Sequence, residues 1–205
     1  MVFKFETEKL LKQQLHEVEL WHGFLPEADF SAAENFPSLV SIQHQVNFEL
    51  WHQEDLARDP DVSDSKIAAV KRAIDVFNQR RNDLIEQLDQ FLLNIINAEN
   101  VENNAEAEMN SETPGSMIDR LSINAHKIYH MGEEIQREEV TAEHRKKCAA
   151  KLSVLREQRQ DLEQCLAKLL ADLSSGEKRL KVYQQMKMYN DESLNPVLYR
   201  KAEAK

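Results

Sequence analysis

The chain has 205 residues, of which 30% are charged, and it contains only four glycines and five prolines. Sheets need many turns, and turns need glycine and proline, so this composition argues against a β-protein. It predicts long helices in a single domain covering residues 1–205. The formal net charge of −10 opposes binding to a nucleic-acid backbone or to an anionic membrane.

The first predicted helix covers about residues 6–24, and charged residues occur throughout it. Because this segment has no long apolar run, we expect neither a signal peptide nor insertion into a membrane, and therefore a cytoplasmic protein.

Cys148 and Cys165 fall in one predicted helix, too far apart along its axis for a disulfide. Two free thiols suit a reducing compartment.

The second and third predicted helices form a hairpin over about residues 36–99. The second begins near Pro37, which suits a first helical turn, and ends before Pro60. The third follows Ser63, a good N-cap, and its apolar residues recur every three or four positions. Arg81 occupies one position of this apolar stripe. A polar loop over about residues 100–113 follows.

The fourth and fifth predicted helices form a second hairpin over about residues 114–189, followed by a tail over residues 190–205. The fourth helix opens at the sequence TPGSM. The fifth is capped by Thr141 and is predicted to continue to about Tyr189. Its apolar stripe also contains one charged member, Arg159.

The two hairpins resemble each other when they are offset by 78 residues. The paired positions include His52 with His130, Asp55 with Glu133, Ser63 with Thr141, and Arg81 with Arg159. This agreement predicts an all-α, up-down helical bundle made of a duplicated helical hairpin, with the N-terminal helix packed alongside. The alternative is coincidence between two leucine-rich helical patterns.

The paired histidines form the first candidate site. His52 with Asp55, and His130 with Glu133, are each spaced i, i+3 and therefore share a helix face. If the two pairs meet in the bundle, they offer two nitrogens and two carboxylates for proton transfer or for a divalent metal. His126 adds a further nitrogen. The alternative is that each histidine only bonds to its own acid, and we favour no cofactor.

The paired arginines form the second candidate site. A buried guanidinium must be paired, and the N-termini of the second and fourth helices lie at the height of Arg81 and Arg159. Free N–H groups and arginines together suit a phosphate or a carboxylate. The alternative is a closed salt-bridge network. The other residues assigned to this ligand site are Arg120, Asp119, Asp83 and Asn78.

Several longer strings carry a resemblance to a known family. WHQEDLARDP, ETPGSMIDRLSINAHKIYHM and KVYQQMKMYND are similar to the bacterial family called domain of unknown function 4254, over about residues 36–198. The resemblance implies a soluble helical protein with no established activity. The family's association with surface-polysaccharide genes implies sugar nucleotides or glycan precursors as ligands. His126 lies in a segment that departs from the family pattern, which argues against an essential role for it.

We therefore expect a helical bundle that binds a small anionic ligand, such as a phosphorylated or nucleotide-linked sugar. The arginines would hold the anion, and the histidines with their acids would transfer protons if there is chemistry. One alternative is a metal-dependent enzyme centred on the histidines. Another is a structural or scaffold protein whose long helices form a homodimer. The sequence leaves open whether the protein is an enzyme.

Overall fold

The chain folds into an all-α bundle in a computed structural model that describes residues 7–27, 33, 35–99, 101, 105–185 and 193–197. Its helices are α1 (Thr7–Gly23), α2 (Phe36–Leu56), α3 (Asp64–Ala98), α4 (Pro114–Gln136) and α5 (Ala142–Ser175). Two short parallel strands, β1 (Glu108–Met109) and β2 (Lys178–Arg179), pair the segment before α4 with the segment after α5. Residue 6, where the first helix was expected to begin, and most of the predicted tail over 190–205 lie outside the described residues.

Local capping explains where the helices of the two hairpins begin. Asn35 and Ser38 form a reciprocal capping box at the start of α2. The side chain of Thr113 accepts a hydrogen bond from the backbone of Ser116, and that of Thr141 accepts one from His144. These bonds satisfy amide groups that have no partner inside the helix.

The helix starts follow the offset between the two predicted hairpins. Phe36 and Pro114 open α2 and α4, and they stand 78 residues apart. Asp64 and Ala142 open α3 and α5 with the same separation. The duplication itself stays a prediction.

The fifth helix ends earlier than the sequence pattern indicated. Gly176 follows Ser175 with a φ of 76°, in the left-handed region that glycine adopts without steric cost. The chain then forms β2 against β1, with Lys178 opposite Glu108. The prediction of a helix continuing towards Tyr189 is therefore wrong from Gly176 to Gln185, and Tyr189 itself lies outside the described residues.

The apolar stripes meet in a core that all five helices enclose. Helix α2 packs on α3 and α4 on α5, while α1 contacts α2, α4 and α5. Leu88, Leu92, Ile118 and Leu121 are among the most deeply buried side chains. None of the described helices combines the length and the apolar character that crossing a bilayer requires.

Helices α3 and α4 approach closely at Gly115. A β-carbon at this position would lie 2.6 Å from the carbonyl oxygen of Ile85 and 2.9 Å from the carboxylate of Asp89. The backbone amide of Gly115 donates a hydrogen bond to Oδ1 of Asp89 at 2.7 Å. Asp89 on α3 therefore caps α4, and only a glycine leaves room for it.

Candidate functional site

Arg81 on α3 is paired with Asp119 on α4. The guanidinium donates from Nε to Oδ1 at 2.7 Å and from Nη2 to Oδ2 at 2.5 Å. Oδ1 also accepts hydrogen bonds from the side-chain amides of Gln43 at 2.7 Å and Asn47 at 3.0 Å. The hydrogen bonds to Asp119 raise the pKa of Arg81. A two-pronged ion pair is among the stronger polar contacts in proteins, and an anionic ligand would have to displace Asp119 to use the same edge of the guanidinium.

Arg159 on α5 is 6% exposed and bonds to oxygens of α4 and α1. Its Nη1 donates to the carbonyl of Leu121 at 2.8 Å. Its Nη2 donates to the carbonyl of Leu11 at 2.7 Å and to Oε1 of Gln14 at 3.3 Å. Burial lowers the pKa of this guanidinium to about 10. Carbonyl dipoles therefore replace water around its charge, and the residue joins three helices.

A chain of buried hydrogen bonds connects the two arginines. Asn47 donates to the hydroxyl of Ser122 at 2.9 Å, and Ser122 contacts Nδ1 of His44 at 2.6 Å. Nε2 of His44 lies 2.9 Å from the carbonyl of Gln14, which can only accept, so Nε2 carries the proton. Burial lowers the pKa of His44 to about 3. The network runs from Arg81 to Arg159 through all five helices.

The structure separates the other residues predicted for the anion site. Arg120 is exposed and forms an ion pair with Glu112 at 2.8 Å. Asp83 is also exposed and accepts a hydrogen bond from Gln79. Asn78 is half-buried on α3. One residue turns an α-helix by about 100°, so Arg120 points to a different side of α4 from its neighbour Asp119. The six predicted residues therefore do not converge on one site.

The predicted histidine pair lies in a larger cluster of imidazoles. The ring centres of His52 and His130 are 6.1 Å apart, and His22 of α1 lies 5.2 Å from His52 and 5.1 Å from His130. The three rings are nearly perpendicular to one another. Tyr129 stacks on His22 at 4.1 Å. His22 was not among the predicted residues because α1 lies outside the repeat pattern.

Two of these histidines are held by an oxygen acceptor at Nδ1. Nδ1 of His130 lies 2.7 Å from Oε2 of Glu133, and Nδ1 of His22 lies 2.7 Å from the carbonyl of Val18. Both Nδ1 atoms therefore donate, and each Nε2 keeps a lone pair. Neither Nε2 has a hydrogen-bond partner among the described groups, although both are buried.

His52 differs from these two histidines because it interacts with its predicted partner, Asp55, through charge rather than through a hydrogen bond. Burial lowers the pKa of His52, and the neighbouring His22 and His130 lower it further. Asp55, which is exposed, and Glu133 act in the opposite direction through their charges. His52 is therefore held towards its neutral form beside His130.

His126 completes the cluster one helical turn before His130. It is 1% exposed, and neither of its ring nitrogens has a hydrogen-bond partner among the described groups. Burial, followed by the neighbouring histidines, lowers its pKa to about 2. Trp51 stacks against His126 at 5.9 Å and against His130 at 5.2 Å.

The histidine cluster does not form a preassembled metal centre. Within the described part of the chain, the one group of three or more side chains whose donor atoms lie within 4.8 Å of one another is elsewhere, on α4 and α5. No three of His52, Asp55, His130 and Glu133 therefore meet at metal-binding distance.

A groove of about 570 Å³ opens beside the cluster, between α4 and α5. Its walls are mainly apolar, and His130 is part of the wall. Charged side chains stand among the lining residues, including two exposed lysines. The lining consists of Trp51, Lys127, His130, Met131, Glu134, Ala150, Lys151, Val154, Leu155 and Gln158.

Comparison with known proteins places the chain in a family. Residues 37–182 match the family described as Protein of unknown function (DUF4254). The chain belongs to this family. No curated protein and no solved structure matches it. The DUF4254 region contains α2 from Pro37 onwards and all of α3 to α5, and therefore the groove, His52 and His130. His22 on α1 lies outside it.

Proposed function

We propose that this DUF4254 protein binds a small organic molecule in the groove between α4 and α5 and exchanges a proton with it through His130. The observation that carries the proposal is an apolar cavity whose wall contains an imidazole held on a carboxylate. The cavity volume of about 570 Å³ falls in the range of small-molecule sites, roughly 300–1,000 Å³.

The lining indicates the kind of ligand. Trp51, Met131 and Leu155 offer apolar surface for a ring or a short chain, whereas Lys127 and Lys151 offer positive charge. A ligand with an apolar body and an anionic group matches this combination. The proposed ligand is anionic, as the sequence led us to expect, but lysines rather than arginines would bind its negative charge. Arg81 and Arg159 are already hydrogen-bonded to protein oxygens.

His130 and Glu133 supply the acid–base chemistry in this proposal. The carboxylate accepts the Nδ1 proton at 2.7 Å and orients the ring. The base is then Nε2, which is buried and has no partner among the described groups, so a bound ligand must reach it from the groove. It also stabilises the imidazolium that forms when Nε2 takes a proton. His52, whose pKa burial lowers, adds little positive charge nearby, and Asp55 opposes that lowering through its charge.

A ligand screen with matched variants tests the groove. Aromatic and aliphatic carboxylates and phosphates are titrated while tryptophan fluorescence is followed, since Trp51 lines the groove. Ala150→Phe should fill the groove and weaken binding at least tenfold. Ala149→Phe is the control, because Ala149 is an exposed neighbour on the same helix that does not line the groove. Equal affinity in Ala150→Phe and the natural protein, or no binding by any compound, would contradict the proposal.

The role of His130 needs a separate measurement. His130→Gln should bind the best compound with an affinity within about threefold, because the apolar walls remain. It should lose the dependence of binding affinity on pH that proton exchange with His130 produces. If the pH dependence of binding is the same in both proteins, His130 does not exchange a proton with the ligand.

A further inference from the structure

Glu134, His144 and Cys148 bring three different donor atoms together at the turn between α4 and α5. Nε2 of His144 lies 2.9 Å from Oε2 of Glu134 and 3.4 Å from Sγ of Cys148. All three donor atoms lie within 4.8 Å of one another. His144 and Cys148 are spaced i, i+4 and therefore share one face of α5. Cys148 is 5% exposed, whereas the other two side chains reach solvent.

This arrangement does not suit a nucleophilic cysteine. In a catalytic triad the nucleophile and the acid contact different nitrogens of the histidine ring, so that one nitrogen takes the proton while the other is held. Here the sulfur and the carboxylate both contact Nε2. One N–H cannot serve both acceptors well, whereas a cation in place of that proton would contact all three donors.

We propose that Glu134, His144 and Cys148 bind a zinc-type divalent cation. A thiolate and an imidazole favour zinc over magnesium or calcium, which take oxygen ligands. Bonds of about 2.0–2.3 Å in a tetrahedron place the donor atoms roughly 3.3–3.6 Å apart. The nitrogen–sulfur distance of 3.4 Å already fits, and the nitrogen–oxygen distance of 2.9 Å must open slightly. Glu134 is a partly exposed, flexible side chain and can make that adjustment.

Neighbouring residues hold the carboxylate in place. Arg137 donates to both oxygens of Glu134, at 3.0 and 3.1 Å, and also pairs with Glu139 at 2.8 Å. Such outer contacts orient ligands in metal sites, and Glu139 offsets the charge of Arg137 that would oppose a cation.

Three protein ligands leave a fourth position for water or for a bound molecule, which is the pattern of a catalytic rather than a structural zinc site. Glu134 is also part of the lining of the α4–α5 groove, so the cation would stand at the edge of that groove. The metal site does not depend on the ligand proposed above, because its three donors meet without one. The cation would also connect the last turn of α4 to the first turns of α5.

Cobalt(II) titration of the full chain tests the site, since Co²⁺ takes the place of Zn²⁺ and is coloured. We expect one equivalent to bind, with the near-ultraviolet charge-transfer band that reports a thiolate ligand, and Zn²⁺ should displace it. Cys148→Ser should abolish the band. Cys165→Ser is the matched control, because Cys165 is an exposed thiol on the same helix, and it should leave the band unchanged.

Variants of the two partly exposed ligands keep the test decisive if Cys148→Ser fails to fold. His144→Gln and Glu134→Gln should each weaken Co²⁺ binding at least tenfold while far-ultraviolet circular dichroism stays unchanged. His130→Gln, which tests the groove, should not alter the cobalt spectrum, so the two proposals can fail separately. No charge-transfer band in the natural protein, or a band that Cys165→Ser removes, would overturn the metal site. Equal cobalt affinity in His144→Gln, in Glu134→Gln and in the natural protein would also overturn the metal site.

Discussion

Acidification from pH 7 to pH 5 should destabilise the fold through His44 and His126. Burial lowers the pKa of His44 to about 3 and that of His126 to about 2, so both remain neutral in the folded protein at pH 5. In the unfolded chain an imidazole takes up a proton below about pH 6.5. Below that pH the unfolded state binds more protons than the folded state. The contribution of the two neutral histidines to stability is therefore complete above pH 6.5 and is lost as the pH falls.

The magnitude follows from proton linkage. A histidine that is protonated only in the unfolded state costs about 2 kcal/mol of unfolding free energy between pH 7 and pH 5. His44 and His126 together cost about 4 kcal/mol, a large part of the 5–15 kcal/mol that roughly spans the stability of globular domains. Glu17 and Asp89 act in the opposite direction, because burial raises the pKa of each carboxyl group. The test therefore compares the pH dependence of stability in single variants with that of the natural protein, rather than interpreting the total pH dependence of one protein.

His126→Leu isolates one of the two contributions. Unfolding by urea is followed by circular dichroism at pH 5, 6 and 7, and the free energy of unfolding is extrapolated to water. The loss between pH 7 and pH 5 should be smaller than in the natural protein by about 2 kcal/mol. His16→Gln is the control, since His16 is exposed and its removal should leave the loss unchanged. An identical loss in His126→Leu and the natural protein would refute a neutral, buried His126.

Two further predictions concern the packing and the polar network. Gly115→Ala should destabilise the protein by about 1–3 kcal/mol, because the new methyl group meets Ile85 and Asp89. Gly132→Ala should stabilise it by about 0.5–1 kcal/mol, because nothing lies within 4 Å of a β-carbon at that position. In urea denaturation, the changes in the free energy of unfolding should have opposite signs for the two variants. No change in Gly115→Ala would contradict the close approach of α3 and α4. Asp119→Ala should cost about 2–3 kcal/mol, since Arg81 and two amides lose their acceptor, while Asp83→Ala should stay within about 0.5 kcal/mol of the natural protein. Similar melting temperatures for these two variants would show that the network adds little stability.

Much of the bundle could be predicted because its signals are local. A cap such as Thr141 or a proline such as Pro37 acts on amide groups within one helical turn, so the chain on either side determines where the helix begins. The end of α5 was missed, although Gly176 is also a local signal, because the apolar spacing continues to Leu180 and Tyr183. Periodicity alone does not distinguish a helix from an extended segment that packs on the same core.

The sites were only partly predictable, since they depend on residues far apart in the chain. His52 and His130 were paired by comparing the hairpins, but nothing local indicated that His22 would pack against both of them. Glu134, His144 and Cys148 come together across the turn between α4 and α5, where the i, i+4 spacing of the last two was the one sequence signal.

The sequence by itself determined the helical class, the helix starts and the presence of two arginines in apolar stripes, because periodicity and capping act over a few residues. Only the tertiary structure decided what those arginines do. Asp119 on a neighbouring helix faces Arg81 and forms an ion pair, whereas Arg159 meets carbonyl groups of α1 and α4. A buried charge is stabilised by whatever oxygens packing brings within about 3 Å, and that choice depends on how the helices are rotated and placed against one another.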